Sequence, residues 1–446
     1  MSTPKRIKTF VEKVGLMGGT CMLVGGAVID SIQGGEPKDW DIEVYGLDQT
    51  EIEGILKGMR ARFDAVGKSF GVLKTRLGGV EVDISLPRKD SKVGAGHRGF
   101  LVETDPFLDP QEAARRRDLT INSMGINLHT MELVDHFGGL QDLEEGILRA
   151  TDPETFIEDP LRVLRVMQLL ARKGKTVDHE TIRFCKVIQH EFQSLPKERI
   201  FEEFNKLLLK SEKPSMGLRF LYDCFWITHF PELLDLVGCK QNPEWHPEGD
   251  VWQHTLLVID NAAALRDFLP EELRLTFMYA ALLHDIGKPS TTLSDLTSHG
   301  HDEAGAILAE TFMRRITDET KLIEDVCALV RLHMRPGQLY RGIAGPSAWK
   351  RLSNEFRLDV LGYLCKADSA GRTGRSLQDE HHPSELCFLW ASAIGTKKIE
   401  PLVKGRDLIE MGLTPGPEFG PILEEAYELQ MEGHDKETIL KLIQCD

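Results

Sequence analysis

The sequence predicts an α+β domain over residues 1–140 followed by helices to the end of the chain. Three observations lead there. An apolar strand, CMLV, runs into Gly25-Gly26, a short helix and a second strand that opens on Asp39 and Asp41. The run SFGVLKTRL, then Gly78-Gly79, then VEVDISL, reads as a hairpin closed by a two-residue turn. From about Asp142 onward, apolar residues such as Leu161, Leu164 and Met167 recur at helical spacing. The helical part is expected to form a neck over residues 141–237 and a C-terminal region over 238–446. The proline- and glycine-containing stretch 238–249 serves as the hinge between them. Residues 88–105, polar and glycine-containing, read as a mobile loop beside the hairpin.

The first segment carries chemistry as well as structure. Side chains on a strand alternate faces, so Asp39 and Asp41 project to one side. Gly25 and Gly26 let a phosphate approach the backbone, where N–H groups at the start of the following helix can meet it. Two carboxylates beside a phosphate cradle suit Mg²⁺ and a nucleoside triphosphate. On the second hairpin strand Glu81, Asp83 and Ser85 share one face, against Val80, Val82 and Ile84 on the other. Metal-assisted phosphoryl transfer uses such a carboxylate cluster, with Asp83 as third member and Glu81 as the alternative.

Composition narrows the classes. A chain of 446 residues has room for two or three domains, and 41% apolar with 28% charged residues is ordinary for a globular protein. No apolar run approaches the roughly 20 residues of a membrane span, and MSTPKRIKTFVEKVG lacks a signal-peptide core. Eight cysteines without a CxxC pair fit a reducing cytoplasm and argue against structural zinc or disulfides. The net charge of −16 speaks against a simple nucleic-acid binder. Residues 158–210, however, hold 11 Lys/Arg against 8 Asp/Glu, a locally basic stretch whose affinity for RNA would be modest and salt-sensitive.

Two further motifs follow the hairpin. ARRRDLTINSMGIN groups Arg116, Arg117, Asp118 and Asn122. Arginine offers a planar donor fork for phosphate, while Asp and Asn suit ribose hydroxyls or, alternatively, brace the fold. In EDPLRVLR, an acidic pair and a proline mark a helix start, with Asp159 and Arg162 three apart on one face. Read blandly they are a surface ion pair. Read functionally, an acceptor beside a donor matches cytosine and adenine and clashes with uracil and guanine, so such a pair selects CTP and ATP.

VGGAVID…KDWDI, RRDLTIN, EDPLRVLR and KERIFEE, in this order over residues 20 to about 210, resemble the class II tRNA nucleotidyltransferase and bacterial poly(A) polymerase family. The resemblance implies a polymerase-β-like nucleotidyltransferase head, an all-α neck and untemplated addition of C, C and A to tRNA 3′ ends. It implies that Asp39 and Asp41 bind Mg²⁺, that Gly25, Gly26 and Arg117 meet the triphosphate, and that Asp118 and Asn122 belong to the nucleotide site. Asp159 and Arg162 would read the base, with Arg165 close by. The implied partners are the tRNA 3′ end, ATP and CTP, with neither DNA nor membrane. The loop after Arg88 resembles an element that helps switch specificity from C to A. Two departures favour weaker triphosphate binding: Ile29 and Gln168 stand where the family has arginine, and Lys38 is the candidate to compensate for the first.

The C-terminal region supplies His254 in HPEGDVWQHT, His284 and Asp285 in ALLHDIGK, and Asp368 in YLCKADSAGRTG. Imidazole and carboxylate together suit a divalent metal. The order H…HD…D resembles the HD phosphohydrolase superfamily, in the version fused to some bacterial CCA-adding enzymes. It implies an all-α domain with a second divalent metal and phosphatase or 2′,3′-cyclic phosphodiesterase activity. His299, His301 and His333 are weaker candidates for the same cleft. Two rival readings are a poly(A) polymerase, which shares the EDxxR chemistry, and a metal-dependent phosphohydrolase whose head merely binds RNA.

Overall fold

The computed structural model describes residues 3–37, 39–66, 72–92 and 100–444. They fall into two compact units, Met1–Leu207 with Met216–His229, and Leu208–Ser215 with Phe230–Asp446. Lys38 and the middle of the expected 88–105 loop, residues 93–99, lie outside the described residues.

The first unit is built on a seven-stranded sheet. In chain order the strands are β1 (Thr20–Val24), β2 (Trp40–Tyr45), β3 (Phe63–Val66), β4 (Val72–Leu77), β5 (Val80–Ser85), β6 (Arg88–Lys92), β7 (Phe100–Thr104), β8 (Gly125–Asn127) and β9 (Leu133–Val134). The sheet order is β3-β4-β5-β2-β1-β8-β9, and β2–β5 is the parallel pair among antiparallel ones. Gly78 and Gly79, both at positive φ, close the β4–β5 hairpin as the sequence predicts. Strands β6 and β7 pair with each other, so the ends of the expected 88–105 loop are strand rather than irregular chain. The period-two signal is missing because the apolar residues of β7, Phe100, Leu101 and Val102, are consecutive in the sequence rather than alternating with polar ones.

Alternation sorts the sheet into two faces. Cys21, Leu23, Trp40, Ile42, Val44, Val82 and Ile84 are buried. Helix Lys5–Leu16 packs against β1 and against helix Gln49–Gly58, burying Ile7, Phe10, Val11 and Val14 along one stripe. The other face carries Asp41, Glu43 and Tyr45 from β2 and Asp83 from β5. Beyond the sheet the chain is helical apart from two short strands, β10 (Ile147–Leu148) and β11 (Thr176–Val177), which pair in parallel. Helix Leu161–Lys173 buries Leu161, Val163, Leu164, Val166 and Met167, and helix Lys197–Lys210 buries Ile200, Phe204 and Leu207.

The second unit is all-helical. Its central helix, Glu271–Leu283, is buried on every side from Thr276 to Leu283, the mark of a core element. Helices Val251–Leu265, Thr320–Leu332 and Leu358–Ala370 pack around it. A small separate core of Val403, Leu408, Ala426 and Ile439 joins the last helices. Residues 238–249, expected as a hinge, are tied down: Gly238 N donates to Asp250 Oδ2 and Val251 N to the Cys239 carbonyl. None of the helices among the described residues is long and apolar enough to cross a membrane.

Candidate functional site

In the first unit, a cavity of about 430 Å³ is bounded by Gly25, Gly26 and Asp41 on the sheet side. Its helical side is formed by Arg116, Arg117, Asp118, Asn122, Asp159, Arg162 and Arg165. Gly25 has φ +72 and ψ −147, a backbone region that only glycine occupies without strain. An added Cβ there would lie 3.2 Å from Asp41 Oδ2, so the turn and the carboxylate are in contact.

Parallel pairing of β2 with β5 sets Asp41 directly opposite Asp83. Asp39 sits one residue ahead of β2 rather than within it, and is exposed. Desolvation, then the charges of Asp83 and Asp39, push the Asp41 carboxyl above its ordinary range, against the pull of Arg117 and Lys74. Mutual repulsion among carboxylates that share one edge is what a divalent cation relieves, and this is the fit these residues offer to Mg²⁺. Lys74 Nζ stands 3.2 Å from Asp83. Glu81, the alternative third carboxylate, lies on the same face two residues before Asp83 in β5 and pairs with Arg76 at 2.5 Å, while Asp83 is the residue opposite Asp41.

The helical side is held by internal hydrogen bonds. Asp118 is buried; its Oδ1 accepts from Asn122 Nδ2 and the Leu119 amide, both at 2.9 Å, and its Oδ2 from Arg165 Nε at 2.6 Å. Burial alone would raise the Asp118 carboxyl, but Arg165 and these hydrogen bonds bring it down to about 2. Of the two roles open to Asp118 and Asn122, bracing is therefore the one their own bonds display. Asp159 precedes helix Leu161–Lys173 and accepts from Leu161 N at 3.0 Å. Arg162 donates to the Thr155 carbonyl at 2.7 Å and the Arg116 carbonyl at 2.6 Å, which fixes the plane of its guanidinium.

Several residues of this site escaped the sequence reading. Glu43, 1% exposed on β2, accepts from Arg116 at 2.8 Å, Arg117 at 3.5 Å and the Tyr45 hydroxyl at 2.7 Å. Burial works to raise its carboxyl, yet Arg117 and Arg116 prevail and lower it. The signal was present, since Glu43 continues the alternation of Asp39 and Asp41. Arg88 lines the cavity, as do Arg199, Glu203 and Lys206 on one face of helix Lys197–Lys210. Ile29, where the resemblance leads one to expect arginine, is 2% exposed and packed inside. Gln168 is likewise buried and accepts from Arg172 at 2.7 Å.

A second cavity, of about 560 Å³, lies in the helical unit and is lined by Asp285, Lys288, His301, His333 and Asp368 among others. His254 comes from helix Val251–Leu265 and Asp368 from helix Leu358–Ala370, while His284 and Asp285 follow the central helix rather than standing on it. Gly287 lets this turn lie against the next helix: a Cβ there would fall 2.1 Å from the His301 carbonyl.

The imidazoles share one arrangement. Nδ1 of His284, His301 and His333 meets the carbonyl of Ala281, Ser298 and Val330 at 2.9, 2.6 and 2.6 Å. A carbonyl only accepts, so each Nδ1 carries the hydrogen and each Nε2 is turned towards Asp285. His254 Nδ1 is held in the same way by Glu248 Oε1 at 2.8 Å, and Glu248 also takes His246 Nδ1 at 2.8 Å.

The Nε2 atoms converge on Asp285. Its Oδ2 is 3.2 Å from His284 and 3.8 Å from His254, and its Oδ1 is 3.4 Å from His301 and 3.8 Å from His333. Asp368 Oδ1 lies 3.0 Å from His254. His284 Nε2 is buried without a hydrogen-bond partner, and His301 and His333 face each other Nε2 to Nε2 at 3.3 Å. Burial, then His284, push His333 down to about 4, so its ring is neutral, the ligand form. Burial works to lower His254, yet its hydrogen bonds with Asp368 and Glu248 raise it to about 9; imidazoles and carboxylates in this number fit divalent cations, on both sides of Asp285. His299 lines the cavity but belongs to neither group.

Comparison with known proteins identifies three domain families along the chain. Residues 21–149 match the family described as Poly A polymerase head domain, residues 176–236 that of the probable RNA and SrmB-binding site of polymerase A, and residues 251–370 the HD domain. A multifunctional CCA protein of Vibrio cholerae serotype O1 is 33% identical over 385 residues, 83% of this chain and 90% of its own. One from Stenotrophomonas maltophilia is 33% identical over 419 residues, 91% of this chain and 97% of its own. Among solved structures, a CCA-adding enzyme in apo form II aligns with a TM-score of 0.67 at 20% identity, covering 100% of this chain and 96% of that one. The Thermotoga maritima CCA-adding enzyme complexed with tRNA aligns with a TM-score of 0.63 at 19% identity, with the same coverage. These structures share the fold: an α/β nucleotidyltransferase head followed by helices.

Proposed function

Because this chain belongs to the family of multifunctional CCA proteins, we propose that it adds C and A from CTP and ATP to tRNA 3′ ends. The RNA 3′ hydroxyl attacks the α-phosphate, a new P–O bond forms, and pyrophosphate leaves. What supports this reading is one cavity bounded by the Gly25-Gly26 turn and Asp41 on one side and by Arg117, Asp159, Arg162 and Arg165 on the other. Asp39, Asp41 and Asp83 would hold Mg²⁺, which when bound lowers the charge cost of the attacking and leaving oxygens. Gly25 and Gly26 give the phosphates access to the backbone. Arg117, steadied by Glu43, and Arg165, steadied by Asp118, offset triphosphate charge. Arg162, its plane set by two backbone carbonyls, donates to the ring nitrogen of cytosine or adenine while Asp159 accepts from the amino group. Uracil and guanine leave both groups unpaired, which is a strong basis for rejection.

The helical unit is the metal-dependent phosphohydrolase of this reading. His254, His284, Asp285 and Asp368 would hold one divalent ion, and Asp285 with His301 and His333 a second. Such ions supply Lewis-acid polarisation of a phosphate oxygen. Lys288 Nζ, 2.7 Å from Asp285 Oδ2 and from Gln241 Oε1, adds a fixed positive charge beside them. In hydrolysis of a 2′,3′-cyclic phosphate, water adds to phosphorus, one P–O bond to ribose breaks, and the released oxygen takes the proton.

The test is incorporation of each labelled nucleoside triphosphate into tRNA lacking its terminal CCA. CTP and ATP are incorporated, UTP and GTP are not, and Asp41→Ala abolishes both. Extension with ATP alone would make the head a poly(A) polymerase. Hydrolysis of phosphate esters without any incorporation would leave only an RNA-binding head.

A further inference from the structure

One side chain at the mouth of the histidine cavity has no part in holding a cation. Trp245 lines that cavity and is 59% exposed. Leaving so large an apolar ring in water forgoes the stabilisation that burial gives. Nor does the ring hang from a loose segment. Asn242 Oδ1 accepts from Glu244 N at 2.9 Å, and the Asn242 carbonyl accepts from Trp245 N at 3.1 Å and His246 N at 2.9 Å. The next residue, His246, is held by Glu248, the same carboxylate that orients His254. The indole is thus presented by a turn anchored to the group that sets the metal-ligand geometry.

Its neighbours define what would cover it. Lys288, Arg341 and Arg372 line the same cavity and suit a phosphate dianion or diester. A flat apolar ring beside phosphate-binding cations matches a molecule with a planar aromatic part at one end and a phosphate at the other. Nucleobases stack on such rings without regard to sequence.

We propose that Trp245 is a nucleobase-stacking subsite of the histidine cavity, so that phosphate esters carrying a base bind there in preference to phosphate esters without one. This rests on the phosphohydrolase reading of the unit. It adds which part of the substrate is recognised and by which residue.

Phosphate release by the full-length protein, supplied with divalent metal, is measured from 3′-AMP and from glycerol 2-phosphate, which has no base. Trp245→Ala raises KM for 3′-AMP about tenfold or more and leaves both kcat values and the glycerol 2-phosphate KM unchanged. Trp245→Phe, still a flat ring, restores the 3′-AMP KM. On the metal-free protein, 3′-AMP quenches a fraction of the tryptophan emission that is missing in Trp245→Phe. An equal rise in both KM values marks a structural role and overturns the subsite. So does an unchanged 3′-AMP KM or identical quenching in the two proteins. If the unsubstituted protein releases phosphate from neither ester, the phosphohydrolase reading itself fails and the subsite falls with it.

Discussion

Replacing Gly25 by alanine tests the link between backbone and chemistry at the head. The residue sits at φ +72 and ψ −147, where a side chain costs about 1–3 kcal/mol of strain. That alone lowers the unfolding midpoint of a unit this size by roughly 2–10 °C. The new Cβ would also stand 3.2 Å from Asp41 Oδ2, tighter than an ordinary contact. Asp41 then yields by a fraction of an ångström, and a misplaced catalytic group loses on the order of ten- to a hundredfold in rate. Gly26→Ala is the control for strain, because its φ is not positive and nothing lies within 4 Å of its built Cβ. It should melt with the unsubstituted protein. The assay is the initial rate of CMP incorporation into tRNA lacking CCA, alongside thermal unfolding. Unchanged rate and midpoint in Gly25→Ala would refute the claim that this turn and Asp41 are in mutual contact.

Four other substitutions probe the supports. Glu43→Ala strips Arg116 and Arg117 of a shared buried carboxylate, a loss of about 3–5 kcal/mol readable by urea unfolding, with a higher KM for CTP; equal stability would deny the tether. Asp118 is held at about 2 against an ordinary 3.8. A depressed carboxyl stabilises above its unfolded value, so Asp118→Asn costs about 2 kcal/mol at pH 7, and the gap closes as pH falls from 3.8 towards 2. A pH-independent gap would place the effect in packing. In the helical unit, metal analysis should find bound divalent ion reduced to near zero in Asp285→Ala and to about half in His333→Ala; identical content in the two variants would remove the second ion.

How much of this was legible in the sequence depended on the range of the interactions. The Gly25-Gly26 turn, the Gly78-Gly79 hairpin and the face shared by Asp41 and Glu43 follow from periods of two residues and from glycine's freedom at positive φ. The helical character beyond residue 142 follows from a longer but equally local period. What pairs with what does not. Parallel pairing of β2 with β5, which sets Asp83 and not Glu81 opposite Asp41, is a matter of register between distant segments. Arg165 with Asp118 joins residues 47 apart, and His301 with His333 residues 32 apart. The sequence could offer those histidines only as weak candidates, because a histidine's use depends on which nitrogen its backbone neighbour occupies. Strands β6 and β7 are the opposite case: their pairing is local, but the apolar residues of β7 are consecutive rather than alternating, so the sequence carries no period-two signal there.

The charge of the head cavity resolves an apparent conflict. A chain with net charge −16 is a poor host for nucleoside triphosphates and RNA. Yet the head cavity is lined by seven arginines and lysines against four aspartates and glutamates. Held by like charges alone, such a cluster would splay into solvent and collapse only around a ligand, at an entropic cost. Here the key cations are tethered from behind: Arg165 by Asp118, Arg116 and Arg117 by Glu43, Arg162 by backbone carbonyls. Desolvation and side-chain ordering are met during folding, and the binding step is relieved of them. A site built this way depends less on any single surface cation than on the buried acids behind it. Loss of Glu43 or Asp118 should therefore cost more than loss of a single surface cation.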